Sequence, residues 1–314
     1  MGLEPIDLKR VSTYPISERR SLVDASILKP VSPPPEGFQG AASLIDDAPA
    51  AEGIDRLATA ICAAHDAGRP VALGMGAHAI KLGLGPYIAD LVERRVITAV
   101  AMNGATAFHD LELSVYGVTS EDVASALPAG RFGFADEPVR DFNAAAVQAR
   151  QTGSGLGSVL ASFVRQRVPA DRAAFSVLAA CARASATITV HVSIGCDVTH
   201  IHGTTDGEAL GASSHRDFRS FCGVVASLSG GVYVNLGSAV VMPEVFLKGV
   251  SVSFNLGYPL DGLVTANMDM LTHYRPSENV LRRIPGTGID IRGRHEITLP
   301  ALHACIVGCL ARNT

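Results

Sequence analysis

The 314-residue sequence contains no tryptophan, and aromatic residues make up only 5% of it. A surface that grips nucleic acid interleaves aromatic and basic side chains. With so few rings and a net charge of −4, no such surface is encoded, and nucleic acid is not an expected partner. Lysine is almost missing. Lys9, Lys29, Lys81 and Lys248 stand against 22 arginines, a bias of GC-rich bacterial coding sequence more than of function. No run reaches the roughly 18 uninterrupted apolar residues that a membrane span needs. The opening MGLEPIDLKR lacks the apolar core of a signal peptide. No Cys-x-x-Cys pair occurs among Cys62, Cys181, Cys196, Cys222, Cys305 and Cys309. Small buried thiols in a cytoplasmic protein, with no membrane partner, are the expectation.

What is present is apolar. Hydrophobic residues reach 47% and charged ones only 18%, so a well-filled core has a lean polar surface, part of it expected to face other subunits. Residues 1–52 form a Pro-rich arm, with Pro30 and Pro33 to Pro35 forbidding helix there. Residues 53–314 read as a single domain. IDRLATAICAAHDAG is an amphipathic helix ending at Gly68, followed by the apolar run PVALGMGAH, the helix GLGPYIADLVERR and the run ITAVAMNGA. Later, SVLAACARAS precedes ITVHVSIG, HRDFRSFCGVVASLSG precedes GVYVNLGS, LVTANMD follows, and ITLPALHACIVGCLARN closes the chain as a helix. This alternation predicts an α/β fold: a Rossmann-like parallel sheet of at least five buried strands with helices on both faces.

Ligands of such sheets bind at the carboxyl ends of the strands. Small and polar residues gather there: Gly74, Gly76 and His78; Asn103, Gly104, Ala105 and Thr106; Asp197; Gly237 and Ser238; Asp269. Glycines admit a phosphate or ribose close to the backbone, and an Asp accepts ribose hydroxyls. Together the five ends indicate a nucleotide site. Gly153-Ser-Gly155-Leu-Gly157 has no strand before it and reads as a helix-entry loop. His200 and His202, read as an HxH on a strand near Asp197, would put two imidazoles on one face and suit a metal, with Asp206 and His215 as further ligands. His109, His200 and Glu244 are candidates for proton transfer or substrate holding. Glu278 and Arg283, in the polar loop YRPSENVLRR, are candidates for substrate charge. Lys81 lies beside the first glycine turn, where it would meet a phosphate.

Four blocks, in order, resemble the deoxyhypusine synthase family: GMGAHAIKLGLGPYIADLVERRVITAVAMNGAT, SVLAACARASATITVHVSIGCD, GVYVNLGSAVVMPEVF and TANMD with YRPSENVLRR. The resemblance covers about residues 55–310. It implies NAD as cofactor, a homotetramer built as a dimer of dimers, and NAD contacts at His78, Met102 to Thr106, Asp197, Gly237, Ser238 and Asp269. Glu278 falls on the family's amine-holding glutamate. The family's catalytic lysine would fall near Arg283 or Ile284, yet no lysine follows Lys248, and the family's substrate-facing histidine after its triple glycine falls on Pro243. An arginine stays protonated and forms no imine. The expectation is an NAD-dependent enzyme acting on a small amine, amino alcohol or polyamine-like substrate by hydride abstraction and imine or carbonyl chemistry, without deoxyhypusine synthesis. The alternatives are a non-catalytic nucleotide-binding assembly protein, or a metal-dependent hydrolase using Asp197, His200 and His202.

Overall fold

A computed structural model describes residues 4–35 and 37–313. Residues 1–3 and 36 of the Pro-rich arm, and residue 314, lie outside the described residues. The strands are β1 Ser21–Asp24, β2 Val71–Met75, β3 Ala99–Asn103, β4 Val118–Glu121, β5 Thr187–His191, β6 Val232–Leu236, β7 Val264–Asp269 and β8 Thr287–Arg292. The helices are α1 Ala48–Asp66, α2 His78–Lys81, α3 Gly85–Glu93, α4 Gly104–Leu111, α5 Val123–Ala126, α6 Asp136–Thr152, α7 Leu156–Arg167, α8 Val177–Ala184, α9 Gly207–Ala226, α10 Val241–Asn255, α11 Tyr274–Pro276 and α12 His295–Asn313.

Six strands form one parallel sheet in the order β5-β3-β2-β6-β7-β8. Counting β2 as first, this is the 3-2-1-4-5-6 order of the doubly wound dinucleotide fold, and its order reverses between β2 and β6. Alternation of side chains gives each face its own core. Val71, Leu73, Val234, Leu236 and Met268 pack beneath Ile61 of α1, Leu91 of α3 and Leu302 of α12. Ala72, Ala99, Ala101 and Tyr233 pack beneath Phe221 of α9 and Phe246 of α10. The Tyr233 and Phe246 rings stack 3.7 Å apart. Strands buried on both faces are near-continuous apolar runs, which is why the sequence shows them so plainly.

Three elements differ from the sequence reading. Helix α1 begins at Ala48, ahead of the expected start at Gly53, because the Asp47 side chain accepts the Ala50 N–H and Pro49 fits the first turn. The sixth strand β8 lies just beyond the expected polar loop, in a segment the sequence reading left unassigned. Only Ile289 and Ile291 of it are buried, as befits an edge strand with one covered face. Residues 18–24 of the arm lie on their own chain: β1 pairs antiparallel with β4, and Arg131 reaches Glu18 at 3.2 Å.

The glycine loop before α7 is a helix entry. Asp217 of α9 accepts the Gly157 and Val190 N–H groups at 2.8 and 2.9 Å, tying α7 to β5. No helix among the described residues is long and apolar enough to cross a membrane.

Candidate active site

At the reversal between β2 and β6, two backbones touch. A Cβ on Gly76 would lie 2.2 Å from the Gly237 carbonyl oxygen, so no side chain fits there. Gly237 has φ +59°, and His295 of α12 stands directly over it: a Cβ would meet His295 Nε2 at 2.7 Å. The His78 ring lies 5.8 Å from His295. Burial pushes the His295 imidazole down, with Asp269 pulling the other way, and its Nδ1 has no hydrogen-bond partner among the described residues. His295 went unnoticed in the sequence. Its signal was a histidine two residues after the glycine that ends an unrecognised strand. Gly74, Met75, Gly76 and Ala79 complete a G-x-G-x-x-A spacing when alanine takes the third place, which the sequence reading counted as incomplete.

The backbone N–H groups expected to cradle a phosphate are largely engaged elsewhere. Gly76 donates to Leu236 and Gly237 to Met268, each at 2.9 Å. Asn103 accepts the Thr106 N–H and hydroxyl, capping α4. Ser238 Oγ accepts the Met242 N–H at 3.2 Å. Gly74 fits beneath the Tyr233 hydroxyl, 2.2 Å from where a Cβ would stand. The groups left for a dinucleotide are therefore side chains and bare backbone: His78, His295, Asp269, Lys81 and the glycine contact. Buried acceptors and donors with no partner among the described residues, Asn235 Oδ1 and His295 Nδ1, accompany them. This set fits a group rich in hydroxyls and amide donors, as NAD is.

Beside this edge a cavity of about 500 Å³ opens, lined by Lys81 after β2, by Ala105, Phe108 and His109 of α4, and by Cys196 and Asp197 after β5. Its far side comes from the arm and the β1–β4 pair. Helix α4 widens into a π turn at Glu112–Tyr116, which places buried Glu112 beneath Thr119. The Thr119 hydroxyl donates to Glu112 Oε2 at 2.7 Å and lies 2.6 Å from His109 Nδ1. Because Thr119 gives its proton to the carboxylate, His109 Nδ1 must donate, and Nε2 is left with a lone pair. Arg19 clamps Glu112 from the arm. Burial works to raise the Glu112 carboxyl, but His109 and Arg19 together hold it below its usual range.

A second unit meets the same cavity through Asp197. His200 Nδ1 accepts N–H groups of Gly195 and Asp197 at 3.3 and 3.4 Å, so its proton sits on Nε2, 3.9 Å from Asp197 Oδ2. That separation is too long for a hydrogen bond. Asp197 Oδ2 and His200 Nε2 are buried with no partner among the described residues. Burial pushes the Asp197 carboxyl up, while His200, the Ser193 and Ala105 N–H groups and His109 pull it down. Gly104 leaves room for it, since a Cβ would stand 2.1 Å from Oδ2.

The remaining candidates lie elsewhere. Glu244 on α10 binds Lys248, Arg275 at 3.1 Å and Asn279 at 3.0 Å, fastening α10 to α11 and the π turn after it. Glu278 pairs with Arg282 at 2.9 Å, and Arg283 holds Asn279 and Tyr274. None of these three lines the cavity. His200 and His202 are not on a strand. They lie in a 3-10 turn and the turn beyond it, and His202 Nε2 faces Asp136 at 3.3 Å, away from Asp197. Among the described residues no three His, Cys, Asp or Glu side chains converge to hold a metal. Cys62, Cys181 and Cys305 are buried as expected, but Cys196 is exposed at the cavity.

No family model and no curated protein matches the chain. Solved structures do. AgrE, in a ternary complex with ornithine and NAD+, shares 14% identity at a TM-score of 0.52 over 86% of this chain. The match covers 34% of AgrE, so this chain spans about a third of that protein's length. A conserved putative LOR/SDH protein from Methanococcus maripaludis S2 shares 16% identity at 0.50, over 89% of this chain and 76% of the other. A putative deoxyhypusine synthase from Entamoeba histolytica shares 10% identity at 0.53, over 85% and 92%. At these identities the likeness speaks for the fold: this chain has the deoxyhypusine-synthase-like, Rossmann-type parallel-sheet fold.

Proposed function

We propose that the protein is an NAD-dependent enzyme that oxidises a small amine, using the cavity at the carboxyl ends of β3 and β5. One observation carries this reading: His109 is locked by Thr119, Glu112 and Arg19 with its Nε2 lone pair free, in a cavity shared with Asp197. The fold and the AgrE complex with NAD+ and ornithine support the cofactor. His78, Lys81, Gly237, Asp269 and His295 would hold the dinucleotide, with Gly76 giving it close approach. Bound NAD supplies the hydride acceptor.

The chain's own residues handle charge and protons. Asp197 Oδ2, buried and without partner, holds the substrate ammonium in place. His109 Nε2 takes a proton from the reacting nitrogen, whose freed lone pair forms C=N as hydride leaves the adjacent carbon. Thr119 fixes the imidazole tautomer, and Glu112, which Arg19 keeps ionised, stabilises the imidazolium that forms. The apolar walls exclude water and strengthen each of these interactions. Nothing in this scheme needs a lysine, consistent with chemistry other than deoxyhypusine synthesis.

The homotetramer implied by the family resemblance is supported only by exposed apolar side chains near the cavity, among them Leu22 and Val123. Calorimetric titration with NAD+ tests the cofactor assignment. Saturable binding that weakens in His295→Ala and Lys81→Gln is expected. Absence of binding at millimolar NAD+ would overturn it.

A further inference from the structure

Three buried polar atoms on residues that line the cavity have no hydrogen-bond partner among the described residues. Arg19 is 4% exposed at its side chain. Its Nη1 pairs with Glu112 and its Nε donates to Ser21 Oγ at 3.0 Å, but Nη2 has no hydrogen-bond partner among the described residues. Ser120, on β4, is 7% exposed and adopts φ +60°, a left-handed conformation that costs a serine energy. Its hydroxyl likewise has no partner among the described residues. The third atom is Asp197 Oδ2. All three are shut away from bulk water, so hydration does not satisfy them, and such groups in a native protein need an explanation.

Of the other charges that line the cavity, Lys81 is taken up by the dinucleotide in the proposed scheme. Glu121 accepts the Tyr14 hydroxyl and the Gly133 N–H, and Asp122 pairs with Arg20 at 3.2 Å. What remains is a guanidinium donor and a hydroxyl on the β1–β4 side, and a carboxylate oxygen on the β5 side. Phe108, Val123, Phe132, Val139 and Val198 line the cavity with them. A cationic donor, a hydrocarbon wall and an anionic acceptor are the complement of a molecule with a carboxylate, a short carbon chain and an ammonium.

We propose that the cavity binds a small amino carboxylic acid, with its carboxylate on Arg19 and Ser120 and its ammonium on Asp197. This rests on the amine-oxidising reading and narrows it, away from polyamines. Arg19 then has two tasks, clamping Glu112 through Nη1 and recognising substrate through Nη2, so the arm sets specificity. A planar fork suits a carboxylate better than a lysine would.

The test compares L-ornithine with 1,4-diaminobutane, which differs from it only in lacking the carboxylate, by calorimetry on the full chain without NAD+. Ornithine is expected to bind about tenfold or more tightly, the scale of one charge-assisted hydrogen-bonded pair. Arg19→Gln should abolish that preference, read as the ratio of the two affinities in the variant. Should Arg19→Gln fail to fold, Ser120→Gly serves: it relieves the left-handed strain, raises the melting temperature, and still lowers the preference. Equal affinity for the two probes, no binding of ornithine, or a preference untouched by both variants would overturn the proposal. NAD+ is titrated separately, so its failure to bind would sink the enzyme reading and leave the ornithine preference a valid measurement.

Discussion

The Thr119 hydroxyl is the joint on which the proposed chemistry turns. It is fully buried and transmits between Glu112 and His109. Thr119→Val keeps the shape and deletes the link, leaving the His109 N–H without its acceptor. Turnover is expected to fall about 100-fold with NAD+ affinity unchanged, measured by steady-state kinetics and calorimetry. A second residue governs acid stability. Burial lowers His191 to about 4 from 6.5. The unfolded chain takes up this proton below about pH 6.5 and the folded chain refuses it until about pH 4, so stability is fully present above that window and lost as pH falls through it. The loss is of order 3 kcal/mol. Burial lowers His200, His295 and His303 as well, so they share the slope. Urea midpoints followed from neutral pH to pH 4 should show a shallower decline in His191→Gln. At this scale the sequence was partly legible. His109, Asp197 and Lys81 stood out because they follow strand ends, and the structure gathers them at one cavity. Arg19 and Thr119 did not, because Arg19 meets a carboxylate 93 residues away and Thr119 sits in a four-residue strand. Glu244 and Glu278 looked functional as carboxylates in polar stretches. Both pair with arginines, and neither lines the cavity.

Elements were read more surely than side chains. Strands β2, β3, β5, β6 and β7 are short apolar runs ending in polar or glycine residues, which parallel strands buried on both faces must be. Strand β8 escaped because four of its six residues are exposed. The His200 segment was misjudged as a strand because alternation over three residues cannot tell a strand from a turn. There the His200 N–H donates to the Asp197 carbonyl at 3.1 Å, closing a 3-10 turn, and the His200 ring accepts the Asp197 N–H. The glycine ends carry a sharper consequence. Gly76→Ala drives a Cβ into the Gly237 carbonyl, backbone against backbone, with no flexible side chain to yield. A loss of about 2–3 kcal/mol is expected from urea unfolding, with NAD+ affinity reduced in parallel. Gly207→Ala, where a Cβ meets nothing within 4 Å, is the matched control and should be near neutral.

For the molecule as a whole, the proposed cofactor edge lies at the reversal between β2 and β6 and the proposed substrate cavity lies beside it, with the arm on its far side. One half comes from the fold and the other from a segment that composition alone marks as irregular. The central claim is that His109 takes a proton while NAD+ is reduced by an amine-bearing substrate. Single-turnover mixing of the protein, NAD+ and L-ornithine, followed by the absorbance of reduced nicotinamide, tests it directly. The account predicts formation of reduced nicotinamide in the wild type, slowed about 100-fold in His109→Gln. Absence of reduction with ornithine and with simple amines, or a His109→Gln rate equal to wild type, would contradict it.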